Sequence, residues 1–268
     1  MSSPPFILLL IYIAIGISAG ILGAMLGIGG GVIIVPALYA VFAAYHYYEH
    51  DLALHMAIGT SLASIIFNSL AATWIYHKLR LVCWPLFFKM APWYLLGSIG
   101  GAILTVYLTD RILSWIFAGF LFALALYFWF KKRNDAGSFP IPAIPYLVPI
   151  GLGIGCLSNV LGVGGGTLAA PYFQLLTIPT RQSLGTSAAT SLFLSFIGSI
   201  AYLIASWKIE WPMRIGYIDL DAFLVIGITS MLVAKLGVRI GQHLSMMWIR
   251  RLFSFVFIFT GLAFILLK

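Results

Sequence analysis

One element occurs twice in this chain and bounds what the chain can fold into. Leu26-Gly27-Ile28-Gly29-Gly30-Gly31, with Pro36 five residues on, returns as Leu161-Gly162-Val163-Gly164-Gly165-Gly166 with Pro171. The offset is 135 residues, half of the 268-residue chain. Each copy sits inside a long apolar stretch, where glycine runs and proline break helices. A broken helix frees backbone N–H and C=O groups. Inside a bilayer these are tolerated only where protein buries them or where they line a cavity. Paired breaks at matching positions of two halves are the best sequence pointer to a carrier's substrate site.

Composition places the chain in a membrane. Hydrophobic residues make up 62% and charged residues 8%, with a mean hydropathy of +1.06. A soluble domain is nearer a quarter charged. Several apolar runs reach the roughly 20 residues that cross a bilayer. The first begins at Phe6 with no basic lead and no small-residue cleavage site, so it reads as a retained segment rather than a signal peptide. The net charge of +8 could suggest nucleic acid. The basic residues instead stand in short loops between apolar runs, which is how membrane orientation is encoded. The expected partner is the lipid bilayer and not nucleic acid. Cys83 and Cys156 fall one in each half, give no metal-ligand spacing, and read as buried thiols.

The repeat extends past the glycines. Gly59-Thr60-Ser61 is answered by Gly185-Thr186-Ser187, and Trp84-Pro85 by Trp211-Pro212. The stretch between the proline and the Gly-Thr-Ser element is nine residues longer in the first half, where 45–51 is inserted. The halves run 1–133 and 140–268, joined by Lys131-Lys132-Arg133-Asn134-Asp135 and a Pro-rich stretch. Apolar runs fall at 6–26, 31–44, 53–76, 84–108 and 112–130, then at 143–161, 167–179, 183–206, 217–242 and 249–267. The second run of each half is short for a full crossing. If each glycine-broken stretch enters and returns, each half has three further crossings, and the halves are inverted. With the N terminus outside, 11 basic residues then face inward and 4 outward. If each broken stretch crosses once, the halves are parallel and the best split is 9 to 6. The positive-inside rule favours inversion. The expected fold is an all-α polytopic membrane protein of two inverted repeats. Each repeat has about four transmembrane elements, the first broken at its Gly-rich element. Small residues recur four apart, as in Gly16/Gly20, Gly97/Gly101, Gly151/Gly155 and Gly237/Gly241. Such spacing lets helices approach closely in lipid. Tight packing within the bundle is the first reading and a homodimer face the second.

Several residues could carry chemistry. Successive N–H groups in a glycine turn form an anion-binding concavity, and a helix starting there aims its positive end at the same spot. Gly29, Gly30, Gly31, Gly164, Gly165 and Gly166 are therefore candidate substrate contacts. A methyl on any of them would hold an anion away from the amides. Alternatively, the glycines only permit a tight bend. No Lys-Ser/Thr follows them, so neither copy is a nucleotide loop. Thr60, Ser61, Thr186 and Ser187 offer uncharged hydroxyls, or cap and back-bond their helices. Asn159 and Thr167 flank the second glycine element and are polar groups in apolar surroundings. Lys89 and Lys235 fall in apolar runs near the expected inner interface and read as snorkelling side chains. No Asp or Glu stands mid-span, which argues against a carboxylate relay or cation site. His46-Tyr47-Tyr48-Glu49-His50 matches a zinc-hydrolase pattern, with His55 and Asp51 as the nearest further ligands. It lies in the inserted loop and reads as a solvated loop. No metal and no other cofactor is expected.

On its duplicated glycine–proline and Gly-Thr-Ser elements the chain resembles the TauE/SafE sulfite exporters, also called the TSUP family. The resemblance covers the whole chain. It implies a bacterial inner-membrane carrier for small sulfur-containing anions such as sulfite, sulfonates or sulfoacetate-like compounds. The expected activity is therefore secondary transport, not catalysis, with the anion held between the two glycine elements. A channel-like anion facilitator is the alternative in the same class, and an intramembrane zinc hydrolase the alternative in another. The charge split also generates an expectation. With Cys83 and Cys156 replaced, a cysteine at Asn134 should resist an impermeant thiol reagent applied to intact cells, because 131–135 is cytoplasmic and the N terminus is not.

Overall fold

The computed structural model describes residues 5–45, 52–130, 144–176, 178–205 and 214–243, with five positions between 254 and 261. The first half supplies α1 (Pro5–Leu26), α2 (Gly31–Ala44), α3 (Ala53–Lys78), α4 (Trp84–Tyr107) and α5 (Asp110–Phe130). The second supplies α6 (Ile144–Leu161), α7 (Gly166–Leu175), α8 (Thr180–Ala205) and α9 (Leu220–His243). A small hairpin of β1 (Arg214–Ile215) and β2 (Ile218–Asp219) precedes α9. The Trp211-Pro212 pair, the zinc-like His46–His50 motif and the 249–253 part of the last apolar run lie outside the described residues.

Local signals explain the boundaries. Trp84 opens α4 with proline in the first turn, where a missing N–H costs nothing. Asp219 caps α9, its Oδ1 accepting the Ala222 N–H at 2.9 Å. Arg80 takes φ +56° just past α3, and the Leu81 N–H reaches back to the Tyr76 carbonyl at 2.9 Å, closing the helix. The glycines alone break the first segment of each half. Pro36 and Pro171, expected to contribute to the breaks, instead lie inside α2 and α7. Each removes one backbone donor, which a buried membrane helix tolerates when its neighbours re-satisfy the freed carbonyl.

Among the described residues, six helices are long and apolar enough to cross a membrane, while α2 and α7, at 14 and 10 residues, are shorter. After Gly27–Gly30 the chain turns back on itself. The Asn68 side-chain amide donates to both the Ala19 and Gly29 carbonyls, at 3.4 and 3.1 Å. Leu8, Tyr12 and Ile15 of α1 share a core with Leu38, Val41 and Phe42 of α2. Of the six long helices, α3 is the most buried. Large apolar side chains project outward from α4 (Leu96, Ile103) and α9 (Ile228, Leu232), the surface a bilayer would cover.

Helices of one half pack chiefly on the other half. α1 lies along α9, and α6 along α4. Small residues make both approaches possible. A methyl carbon on Gly20 would sit 2.6 Å from the Ser230 carbonyl oxygen, and one on Gly155 2.5 Å from that of Tyr94. Gly97, Gly101 and Gly237 would collide with the Leu152, Cys156 and Ile21 carbonyls. The four-residue spacings are thus used inside the chain, as in helix pairs that meet backbone to backbone. Two buried tyrosines 126 residues apart close the first helix of each half. The Tyr76 hydroxyl donates to the Ala24 carbonyl at 3.1 Å, and that of Tyr202 to the Asn159 carbonyl at 3.1 Å.

This packing predicts that Gly101→Val destabilises the detergent-solubilised protein by at least about 1–3 kcal/mol through overpacking against α6. Gly119→Ala should cost nothing measurable, because no described residue lies within 4 Å of the added methyl. Thermal unfolding of the two variants side by side checks both.

Candidate functional site

The two glycine turns are built alike. φ is +77° at Gly29, +90° at Gly30, +74° at Gly164 and +78° at Gly165, all angles that favour glycine. α2 and α7 start immediately afterwards, and their N-caps, Gly30 and Gly165, make no side-chain cap bond. The first N–H groups of a helix have no acceptor within it, and they carry its positive end. In α7 the Gly166 N–H is met by Ser191 Oγ at 3.0 Å.

The turns meet one another. A methyl carbon on Gly31 would lie 2.6 Å from the Gly162 carbonyl oxygen, and one on Gly166 would collide with the Gly27 carbonyl. α3 and α8 flank this junction with matching faces at four-residue steps. Ser61 Oγ donates to the Gly162 carbonyl at 2.9 Å, and Ser187 Oγ lies beside Gly27 while donating to the Leu184 carbonyl at 2.9 Å. One turn on, Ile65 packs on Gly29, Gly31 and Gly164, and Ser191 on Gly29 and Gly166. A further turn brings Ser69 to Gly29 and Ser195 to Gly164. Ser69 and Ser195 are 1% and 0% exposed, and among the described residues neither hydroxyl has a hydrogen-bond partner. Ser158 Oγ and the side-chain oxygens of Asn68 and Asn159 are unpartnered as well. Leaving so many buried polar groups unmade is costly and calls for an explanation.

The sequence-predicted residues divide. The six glycines, Ser61, Ser187 and Thr167 stand at the junction. Thr167 there donates to the Val163 carbonyl at 3.3 Å. Thr60 and Thr186 point to other chain segments. Thr60 Oγ1 accepts the Asp219 N–H at 3.0 Å, and Thr186 Oγ1 the Cys83 N–H at 2.9 Å. Each thus pins the approach to the fourth helix of the opposite half. Asn159 donates through its amide to the Ser98 carbonyl at 2.8 Å and to its hydroxyl at 2.5 Å, tying α6 to α4. Ser69, Ser191 and Ser195 escaped sequence reasoning. The Gly-Thr-Ser offset of 126 residues carries Ser69 onto Ser195, and helical spacing carries Ser187 onto both Ser191 and Ser195. Lys89 and Lys235 are exposed, and Cys83 and Cys156, expected to be buried, are half-buried free thiols at the margins of helix contacts. His55, the nearest further ligand for the zinc-like motif, is instead bonded to Asp110.

A helical polytopic chain whose duplicated helix breaks meet in its interior has the architecture of a membrane transporter. The chain belongs to the sulfite exporter TauE/SafE family, whose model matches residues 12–264. It is 28% identical to a probable membrane transporter protein of Methanocaldococcus jannaschii over 263 residues, 97% of each chain. A probable membrane transporter protein of Haemophilus influenzae is 27% identical over 96% of this chain and 98% of its own. The probable membrane transporter protein YunE of Bacillus subtilis is 29% identical over 75% of this chain and 80% of its own.

The geometry revises what alanine would do at the turns. At Gly30 a methyl would lie 2.7 Å from the Ala19 carbonyl oxygen, and at Gly165 it would collide with Leu194, both at positive φ. Gly30→Ala and Gly165→Ala should each cost about 1–3 kcal/mol of fold stability from backbone strain alone. Melting temperatures in detergent test this. Such variants cannot separate binding from folding.

Proposed function

We propose that the chain is a secondary transporter of small sulfur-containing anions, with the anion bound between the two glycine turns in a bacterial inner membrane. The observation that carries this reading is the pairing of Ser69 with Gly29 and of Ser195 with Gly164. Two unpartnered buried hydroxyls face two helix N-termini across one junction. Hydroxyl and backbone donors suit the oxygens of a sulfite or sulfonate group, and the positive helix ends favour its charge. No fixed cation is needed, which keeps binding weak enough for release. The description of the family as sulfite exporters supports sulfur oxyanions as the substrate class.

The junction is close-packed here, so the anion would enter only when α3 and α8 part. That fits alternating access rather than an open pore. The N terminus is extracytoplasmic under this reading, and the halves are related by a pseudo-two-fold axis in the membrane plane.

Ser69→Ala and Ser195→Ala separate binding from folding. Removing a hydroxyl that has no partner should leave the melting temperature unchanged or slightly higher. Each variant should weaken binding by about 0.5–1.5 kcal/mol, as for a lost neutral hydrogen bond. Calorimetry on purified protein with sulfite, sulfoacetate, taurine, thiosulfate and sulfate supplies the affinities. Undiminished affinity in the double variant for whichever anion binds the unmodified chain overturns the site.

A further inference from the structure

A buried imidazole–carboxylate pair lies outside the glycine junction. His55, in the first turn of α3, and Asp110, at the start of α5, are 6% and 8% exposed. His55 Nδ1 is 2.6 Å from Asp110 Oδ1, and Nε2 is 3.1 Å from the Thr105 carbonyl oxygen. The other carboxylate oxygen accepts the Leu54 N–H at 3.1 Å.

These contacts fix a proton count. A carbonyl oxygen only accepts, so Nε2 carries a hydrogen. A contact of 2.6 Å between Nδ1 and a carboxylate oxygen then requires a second proton between them. Whether that proton sits on the ring or on the carboxyl, the pair is neutral overall. Its loss would leave one negative charge in a buried site. It would also set lone pair against lone pair, either Nδ1 against Oδ1 or, after tautomer exchange, Nε2 against the Thr105 carbonyl. An uncompensated buried charge is expensive. This arrangement therefore belongs to the proton-loaded form. Among the described residues, Tyr39 of α2 and Tyr217 of the turn before α9 are the other titratable groups close enough to sense the Asp110 charge. The neighbouring Arg111 is exposed, and the one ion pair Asp110 makes among the described residues is with His55.

The pair is mechanically joined to the glycine junction. The His55 ring packs on Tyr217 at a centroid distance of 5.6 Å. Gly59 lies against the Tyr217 carbonyl, and Thr60 accepts the Asp219 N–H from the same turn. Ser61, next along α3, holds the Gly162 carbonyl. In the second half the position matching His55 is Arg181, exposed and bonded to the Gln242 carbonyl. Among the described residues the pair therefore occurs once.

We propose that His55 and Asp110 form the proton-coupling site of the transporter, loaded with one proton in this closed arrangement and releasing it to water as α3 moves to open the glycine junction. The proposal rests on the transporter reading above. It adds one coupled proton per transport cycle.

The full chain reconstituted in liposomes tests it, with sulfoacetate as probe because that anion has no group titrating near neutral pH. His55→Gln and Asp110→Asn should lose accumulation driven by a proton gradient at least tenfold. Both should keep gradient-independent sulfoacetate exchange within about twofold of the unmodified chain. Proton-driven accumulation that persists in a folded variant overturns the proposal. So does exchange lost in step with accumulation, which would make the pair a structural strut. A second measurement needs no substrate, and so stands apart from failure of the sulfur-anion reading. With Cys83 and Cys156 replaced, Ser69→Cys should react with a thiol reagent faster as pH rises, beyond the thiolate increase seen in the unfolded chain. His55→Gln should flatten that profile. If His55→Gln does not fold, the profile of the Ser69→Cys chain decides alone: a pH-dependent step supports the proposal, and its absence overturns it.

Discussion

The fold depends on how two interrupted helices satisfy their backbone groups away from water. Each interruption frees carbonyls at the end of one helix and N–H groups at the start of the next. Tyr76 and Tyr202 take up the carbonyls, and Asn68 reaches the turn itself. The N–H ends come together at the junction, where Ser191 Oγ accepts the Gly166 N–H. An arrangement of this kind is stable only if α3 and α8 bring polar side chains to the breaks while remaining apolar enough to lie in a membrane. The serines on their matching faces meet both demands. A serine is small, and within a helix its hydroxyl can bond back to the preceding turn when nothing else needs it.

Much of this was legible in the sequence. The glycine runs placed the breaks, the apolar runs placed the described helices to within a few residues, and the small-residue spacings marked the close approaches. Other features lay hidden for physical reasons. Pro36 and Pro171 read as breakers, yet a buried helix absorbs a missing donor when its neighbours compensate. Thr60 and Thr186 read as ligands because a paired hydroxyl in an apolar run looks functional. Their real partners are the Asp219 and Cys83 N–H groups, more than 100 residues away in the chain. Ser69 and Ser195 look like ordinary polar residues until the crossing of α3 and α8 shows which face they occupy.

The halves are alike at the junction and unlike at its margins. Among the described residues His55 and Asp110 have no counterpart pair in the second half, where Arg181 stands at the matching position. The zinc-like motif drew attention to histidines in the inserted loop. His55 lies just beyond that loop, held by a carboxylate at the start of α5. Sequence reasoning looked for carboxylates in the middle of spans and so passed over Asp110, which the fold buries at a helix end.

The exchange of partners between halves also bears on how the chain is made. α1 has its principal neighbour in α9, some 200 residues later, and α4 waits for α6. As the ribosome delivers the chain, the first helix enters the bilayer with its glycine face uncovered. It stays without its close companion until α9 has been synthesised. Final consolidation must therefore be a late, post-insertion event, and a chain cut short before α9 would present an unfilled small-residue seam to the quality-control machinery of the membrane.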